Sequence, residues 1–171
     1  VAIGECGLDY YRLEPDDHIS KERQKKAFME QVYLAKDLEK PLMIHCRNAF
    51  GDLIDILDAN RDALLEFPGV IHFFSGGMEE AQALLDMGFS FTFGGVVTFA
   101  RDYDEVIKFL PLGNILSETD APYVAPAPYR GKRNEPAYVV ETVKKLAELK
   151  GIKIEEMAEQ INKNVSSVFR V

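Results

Sequence analysis

Four side chains of metal-binding type each stand at or just past the point where a short apolar run stops. Val1-Ala2-Ile3-Gly4 leads into Glu5, Leu42-Met43-Ile44 into His45, and Val70-Ile71 into His72; the run at Ile115-Leu116 is followed by Ser117-Glu118-Thr119-Asp120. Runs this short and this apolar are the mark of strands buried on both faces of a parallel sheet. Side chains at the carboxyl ends of such strands converge on one face, where active sites are built. Two imidazoles and two carboxylates gathered there predict a divalent-metal hydrolase.

The elements that must carry them read as an α/β chain. Strands are predicted at 1–4, 42–44, 70–72, 89–93 and 114–117, each ending at or near a polar loop. Between them, apolar residues recur at helical spacing. Ser20 is the expected cap of a helix to about Lys40, whose stripe is Phe28, Val32, Ala35 and Leu38. Asn48 is the expected cap of a helix over 49–60, with 61–67 continuing it or forming a short helix. Further helices are expected at 78–87 before Gly88, at 102–110, from Pro136 to Gly151, and on the stripe Ile154, Met157, Ile161 and Val165. Strands alternating with helices imply a parallel sheet.

Length and composition fit one domain, 1–171: 171 residues, 47% hydrophobic and 28% charged, suffice for a buried core. A net charge of −8 argues against broad electrostatic binding to nucleic acid or anionic membrane, yet leaves room for a local basic patch. No apolar run approaches the ~18 residues of a membrane span, so a cytoplasmic protein is expected. Cys6 and Cys46 each follow a candidate ligand, and strand alternation turns them to the opposite face, as small reduced apolar residues. The chain opens on Val1 already inside a strand, and the expectation is a piece of a longer protein.

Five ordered stretches resemble the TatD family of metal-dependent deoxyribonucleases, within the amidohydrolase-like metal hydrolases. They are Ile3-Gly4-Glu5-Cys6-Gly7-Leu8-Asp9-Tyr10-Tyr11, Ile44-His45-Cys46-Arg47, His72-Phe73-Phe74-Ser75-Gly76, Ser117-Glu118-Thr119-Asp120-Ala121-Pro122-Tyr123, and Arg130-Gly131-Lys132-Arg133-Asn134-Glu135-Pro136. The resemblance implies a TIM (β/α)₈ barrel, with the five strands here as its fourth to eighth. A His-x-His pair at the end of the family's first strand has no counterpart in this sequence. The resemblance also implies two Mg²⁺ ions in the family, Zn²⁺ or Mn²⁺ being alternatives, and 3′→5′ exonuclease action on DNA. Without the His-x-His pair, one ion or none is expected here.

Carried over residue by residue, the metal ligands are Glu5, His45, His72 and Asp120. Glu5 bridges metals and Asp120 orients or deprotonates the attacking water, which makes both catalytic. Glu118, on the face of its strand two residues before Asp120, is expected to pack or to act behind the ligands. Arg47, Lys132 and Arg133 are candidate phosphate binders, and Ser75-Gly76-Gly77 a source of backbone N–H groups. Tyr10, Tyr11 and Tyr123 are candidates for base stacking or rim packing. His18, between acidic residues, reads as a surface residue. Two rival readings are an ester or amide hydrolase on the same scaffold, such as a D-aminoacyl-tRNA deacylase, and a truncated non-catalytic remnant. Five strands without the first three predict an open sheet and self-association through its edges.

Overall fold

The computed structural model describes all residues, 1–171. The chain order is β1 (Ile3–Asp9), α1 (His18–Asp37), β2 (Leu42–Arg47), α2 (Phe50–Ala59), β3 (Gly69–His72), α3 (Met78–Asp86), β4 (Ser90–Phe93), α4 (Asp104–Phe109), β5 (Ile115–Ser117), α5 (Val139–Lys150) and α6 (Ile154–Phe169). Single 3₁₀ turns stand at Arg61–Ala63, Gly95–Thr98, Leu112–Asn114 and Pro136–Tyr138. All five strands are parallel, in the order β1-β2-β3-β4-β5, and the sheet is open, since β1 and β5 do not pair.

The two faces of the sheet follow from alternation along each strand. Leu42, Ile44 and Cys46 are buried in the main core with Phe28 and Val32 of α1. The intervening residues Met43, His45 and Arg47 face the other way. On that second face Met43 packs with Val70, Leu116 and Val168. Two residues further along, the strands carry His45, His72 and Glu118. An apolar layer, closed from below by the end of α6, therefore supports a polar one.

The first strand departs from expectation. It runs to Asp9, so Glu5 lies within the strand and not at its end. The pairing with β2 passes from Gly4↔Met43 to Cys6↔Ile44 and skips Glu5, which is the extra residue of a β-bulge. A bulge re-aims a side chain that regular alternation would fix. Beyond it, Gly7 lies opposite His45 at φ +144°, and a Cβ there would stand 1.9 Å from the His45 carbonyl oxygen. Only glycine lets the two strands approach so closely beside that histidine.

Two predicted caps also differ. Asp17 caps α1, accepting from the Ser20 amide at 2.9 Å, because helix begins at His18. Asn48 sits at φ +55°, and α2 has no side-chain cap. Gly151, at φ +67°, ends α5 as expected. On the free side of β5 the buried Asn164 of α6 donates to the Leu112 and Ile115 carbonyls at 2.7 and 2.8 Å, satisfying groups an edge strand would leave open. Burial raises the Cys46 thiol to about 12 and the Cys6 thiol to about 11, so neither is a ready nucleophile. No helix is long and apolar enough to cross a membrane.

Gly7→Ala is expected to destabilise the fold by at least about 2 kcal/mol, combining a disfavoured φ with a backbone clash. Denaturant unfolding of the two proteins measures it. An unchanged midpoint would show that β1 slides on β2 at no cost.

Candidate metal centre

Glu5, His45, His72 and Asp120 all line one cavity of about 410 Å³, together with Arg47, Ser75, Phe73, Tyr103 and Val124. His45 and His72 are direct partners in the β2–β3 register. Glu5 reaches them from the bulge of β1. Asp120 comes from the loop after β5, where its backbone is left-handed at φ +55°. Lys132 and Arg133 are exposed on the 129–135 loop and do not line the cavity. Ser75 does, but the Gly77 amide donates to the Glu80 carboxylate at 2.8 Å and is not free for a ligand. His18 is exposed at the start of α1.

The two histidines are held in matching fashion. One ring nitrogen of His45 stands 3.1 Å from Glu5 Oε1, and the other 3.1 Å from Asp9 Oδ2. One ring nitrogen of His72 stands 3.8 Å from the same Glu5 oxygen, and the other 2.6 Å from Glu118 Oε2. Each imidazole thus has an outer carboxylate fixing its plane and its proton, and presents its second nitrogen toward Glu5. The outer carboxylates are themselves anchored. Gln24 of α1 accepts from the Asp9 amide at 2.7 Å and donates to the Asp9 carbonyl at 2.8 Å. Thr92 of β4 donates to Glu118 Oε2 and accepts from the Phe73 amide at 2.9 Å. Phe73, whose side chain lines the cavity, is held by that bond at φ +45°, a costly conformation for a bulky residue.

No three of these side chains form a ready-closed coordination shell. The donor set nevertheless suits a cation. The 3.1 and 3.8 Å separations bracket the roughly 3.4 Å between neighbouring ligands when bonds of about 2.1 Å radiate tetrahedrally. Glu118 Oε1 is buried with no hydrogen-bond partner. Burial raises the proton affinity of Asp120, and Glu118 and Glu5 raise it further against the pull of His72 and His45. The hydrogen bond that His72 donates to the Glu118 carboxylate raises the proton affinity of His72 in spite of burial. Negative charge gathered this closely is what a divalent ion relieves.

Asp9, Thr92 and Tyr103 were not among the residues singled out in the sequence. Asp9 lies within the Gly7-Leu8-Asp9 stretch, at a strand position two residues past Gly7, which places it on the His45 face. Thr92 alternates with buried phenylalanines in β4, a pattern that marks it as facing the same side as His72. The 119–124 loop is set by Asn134, which is 2% exposed. Its amide group donates to the Thr119 and Tyr123 carbonyls, each at 2.7 Å, and its backbone N–H to the Pro122 carbonyl at 3.0 Å.

A model of the family described as TatD related DNase matches residues 1–170. The chain is 39% identical over 173 residues to the uncharacterized metal-dependent hydrolase YcfH of Escherichia coli K12, covering all of this chain and 63% of that protein. It is 36% identical over 178 residues to the 3′-5′ ssDNA/RNA exonuclease TatD of Pantoea vagans, covering all of this chain and 66% of that one. Among solved structures, the E. coli TatD homologue YJJV superposes with a TM-score of 0.88 at 34% identity, over all of this chain and 64% of that one. The chain thus spans about two thirds of the length of the relatives it matches. Over that span its open five-stranded sheet corresponds to part of the TatD barrel.

Thr92→Val keeps the shape of the side chain and removes its hydroxyl. It is expected to weaken divalent-metal binding about 10- to 100-fold, the usual effect of losing an outer hydrogen bond to a ligand's support. Thr92→Ser should retain most of the affinity. Titration calorimetry with Mn²⁺ measures both, and equal affinity in all three proteins would detach Thr92 from the centre.

Proposed function

The chain belongs to the family of TatD-related DNases, and from that premise we propose that it carries the metal-binding core of a hydrolase cleaving phosphodiester bonds at the 3′ end of single-stranded nucleic acid. The observation that supports this most directly is the placement of Glu5 between His45 and His72, each imidazole held from behind by its own carboxylate, at the wall of one cavity. Glu5, His45, His72 and Asp120 are the residues that hold a divalent ion, Mg²⁺ in this reading, with Zn²⁺ or Mn²⁺ suited to the same donors. When bound, such an ion supplies Lewis acidity at a phosphoryl oxygen and makes water more acidic.

The chain's own residues do the rest. Asp120, partly buried and with its proton affinity raised, accepts a proton from water and orients it toward phosphorus. Arg47 lines the cavity with its guanidinium 3.4 Å over the Tyr11 ring, so its fork is held in place before substrate arrives. That fork binds the non-bridging oxygens of a phosphate. Lys132 and Arg133, outside the cavity, meet the strand beyond the scissile group. Ser75 offers a hydroxyl to the same phosphate.

Asp120→Asn should leave the fold intact and lower single-turnover cleavage of an end-labelled single-stranded oligonucleotide by at least about 100-fold. Activity within a few-fold of the parent would remove Asp120 from the chemistry. In binding assays with the same oligonucleotide, Arg47→Ala should cost roughly 1.5–3 kcal/mol, the range for a bond to a charged group. Arg133→Ala should cost less, with metal content unchanged in both. If neither variant changes phosphate affinity while an acylated substrate is hydrolysed, the deacylase reading replaces this one.

A further inference from the structure

Every group so far assigned to the cavity comes from the loops after β1, β2, β3 and β5 or from those strands. The connection after β4 is also represented there, by Tyr103 alone among side chains with a polar tip. Its ring packs against the main core, half-buried. Its hydroxyl has no hydrogen-bond partner in the chain, unlike that of Tyr10, which donates to Asp52 at 2.8 Å. A packed ring on a cavity-lining residue, with no partner for its hydroxyl in the chain, leaves a donor free for a ligand.

We propose that Tyr103 is a substrate-contacting residue whose hydroxyl donates a hydrogen bond to a non-bridging oxygen of the phosphate bound in the cavity it shares with the carboxylates of the metal centre. This rests on the phosphodiesterase reading of the same site. An ion held by Glu5 and Asp120 meets one side of a phosphate, and the oxygens turned away from it need donors from the rest of the wall, where Arg47, Ser75 and Tyr103 line the cavity. Burial, assisted by the neighbouring Asp102, raises the proton affinity of the phenol, so it remains a donor throughout the neutral range. The α4 turn anchors it: the Ile107 amide donates to the Tyr103 carbonyl at 2.9 Å, fixing the backbone from which the ring projects.

The test compares Tyr103→Phe, which keeps the packed ring and deletes the donor, with the parent. Inorganic phosphate is titrated in the presence of saturating Mn²⁺. The variant should bind phosphate about 10-fold or more weakly, as expected for one bond to a charged partner, while Mn²⁺ affinity and thermal stability stay unchanged. The chain has no tryptophan, so the long-wavelength edge of near-ultraviolet absorption, beyond the phenylalanine bands, reports tyrosines. Phosphate should perturb that spectrum in the parent and much less in the variant. Equal phosphate affinity in the two proteins overturns the proposal while leaving the metal centre's assignment standing. Loss of Mn²⁺ binding in Tyr103→Phe also overturns it, by showing a structural role. If the parent itself neither binds phosphate nor cleaves the oligonucleotide, the phosphodiesterase reading fails and this inference falls with it.

Discussion

The site depends on register. His45 and His72 share a cavity because β2 and β3 pair as parallel strands with those two residues side by side. A slip of one residue would turn both rings into the helix-facing core. What prevents the slip is the layer beneath. Met43, Val70 and Leu116 pack with Val168 on the same face, while Leu42, Ile44 and Ile71 are buried on the other. Because both faces are apolar up to the last residues of each strand, the polar layer occurs only where the apolar one ends. Glu5 breaks regular pairing to join it, and the bulge is stabilised by close approach of β1 to β2 at Gly7.

Electrostatics then sets what that layer can hold. Glu5, Asp9, Glu118 and Asp120 gather around two imidazoles in a chain that is already negative overall. The arrangement is tolerable because the outer pair already has donors: Asp9 from His45 and the Tyr11 amide, and Glu118, on one of its two oxygens, from His72 and Thr92. The inner pair, Glu5 and Asp120, has no such donors beyond the imidazoles. This division separates carboxylates already held by donors from the two that lack them.

Much of this was legible in the sequence. The five strands, the parallel class and the four inner residues follow from apolar runs that stop at ligand-type side chains, and the family resemblance agrees with the match over residues 1–170. What was not legible is tertiary. The skipped pairing at Glu5 depends on which residue of β2 faces it, which no local pattern encodes. Asp9 and Thr92 take their roles from partners 36 and 26 positions away. Lys132 and Arg133 stood out as basic residues just before the helix start at Pro136, but the loop leaves them exposed and outside the cavity. Tyr103 carried no motif, and its placement depends on how the 95–103 connection packs against the 124–127 segment.

Of the four inner residues, Asp120 is the one that no strand carries. Its backbone is left-handed, a conformation that costs free energy for a non-glycine residue unless the surroundings enforce it. Asn134 supplies the enforcement by capturing carbonyls on both sides, Thr119 before it and Tyr123 after it, from a fully buried position. Asn134 directly follows Lys132 and Arg133 in the chain. The exposed basic segment and the loop of Asp120 are therefore joined through one buried amide. Strand register fixes the two imidazoles independently of that loop, so the cavity is built from two separately held parts.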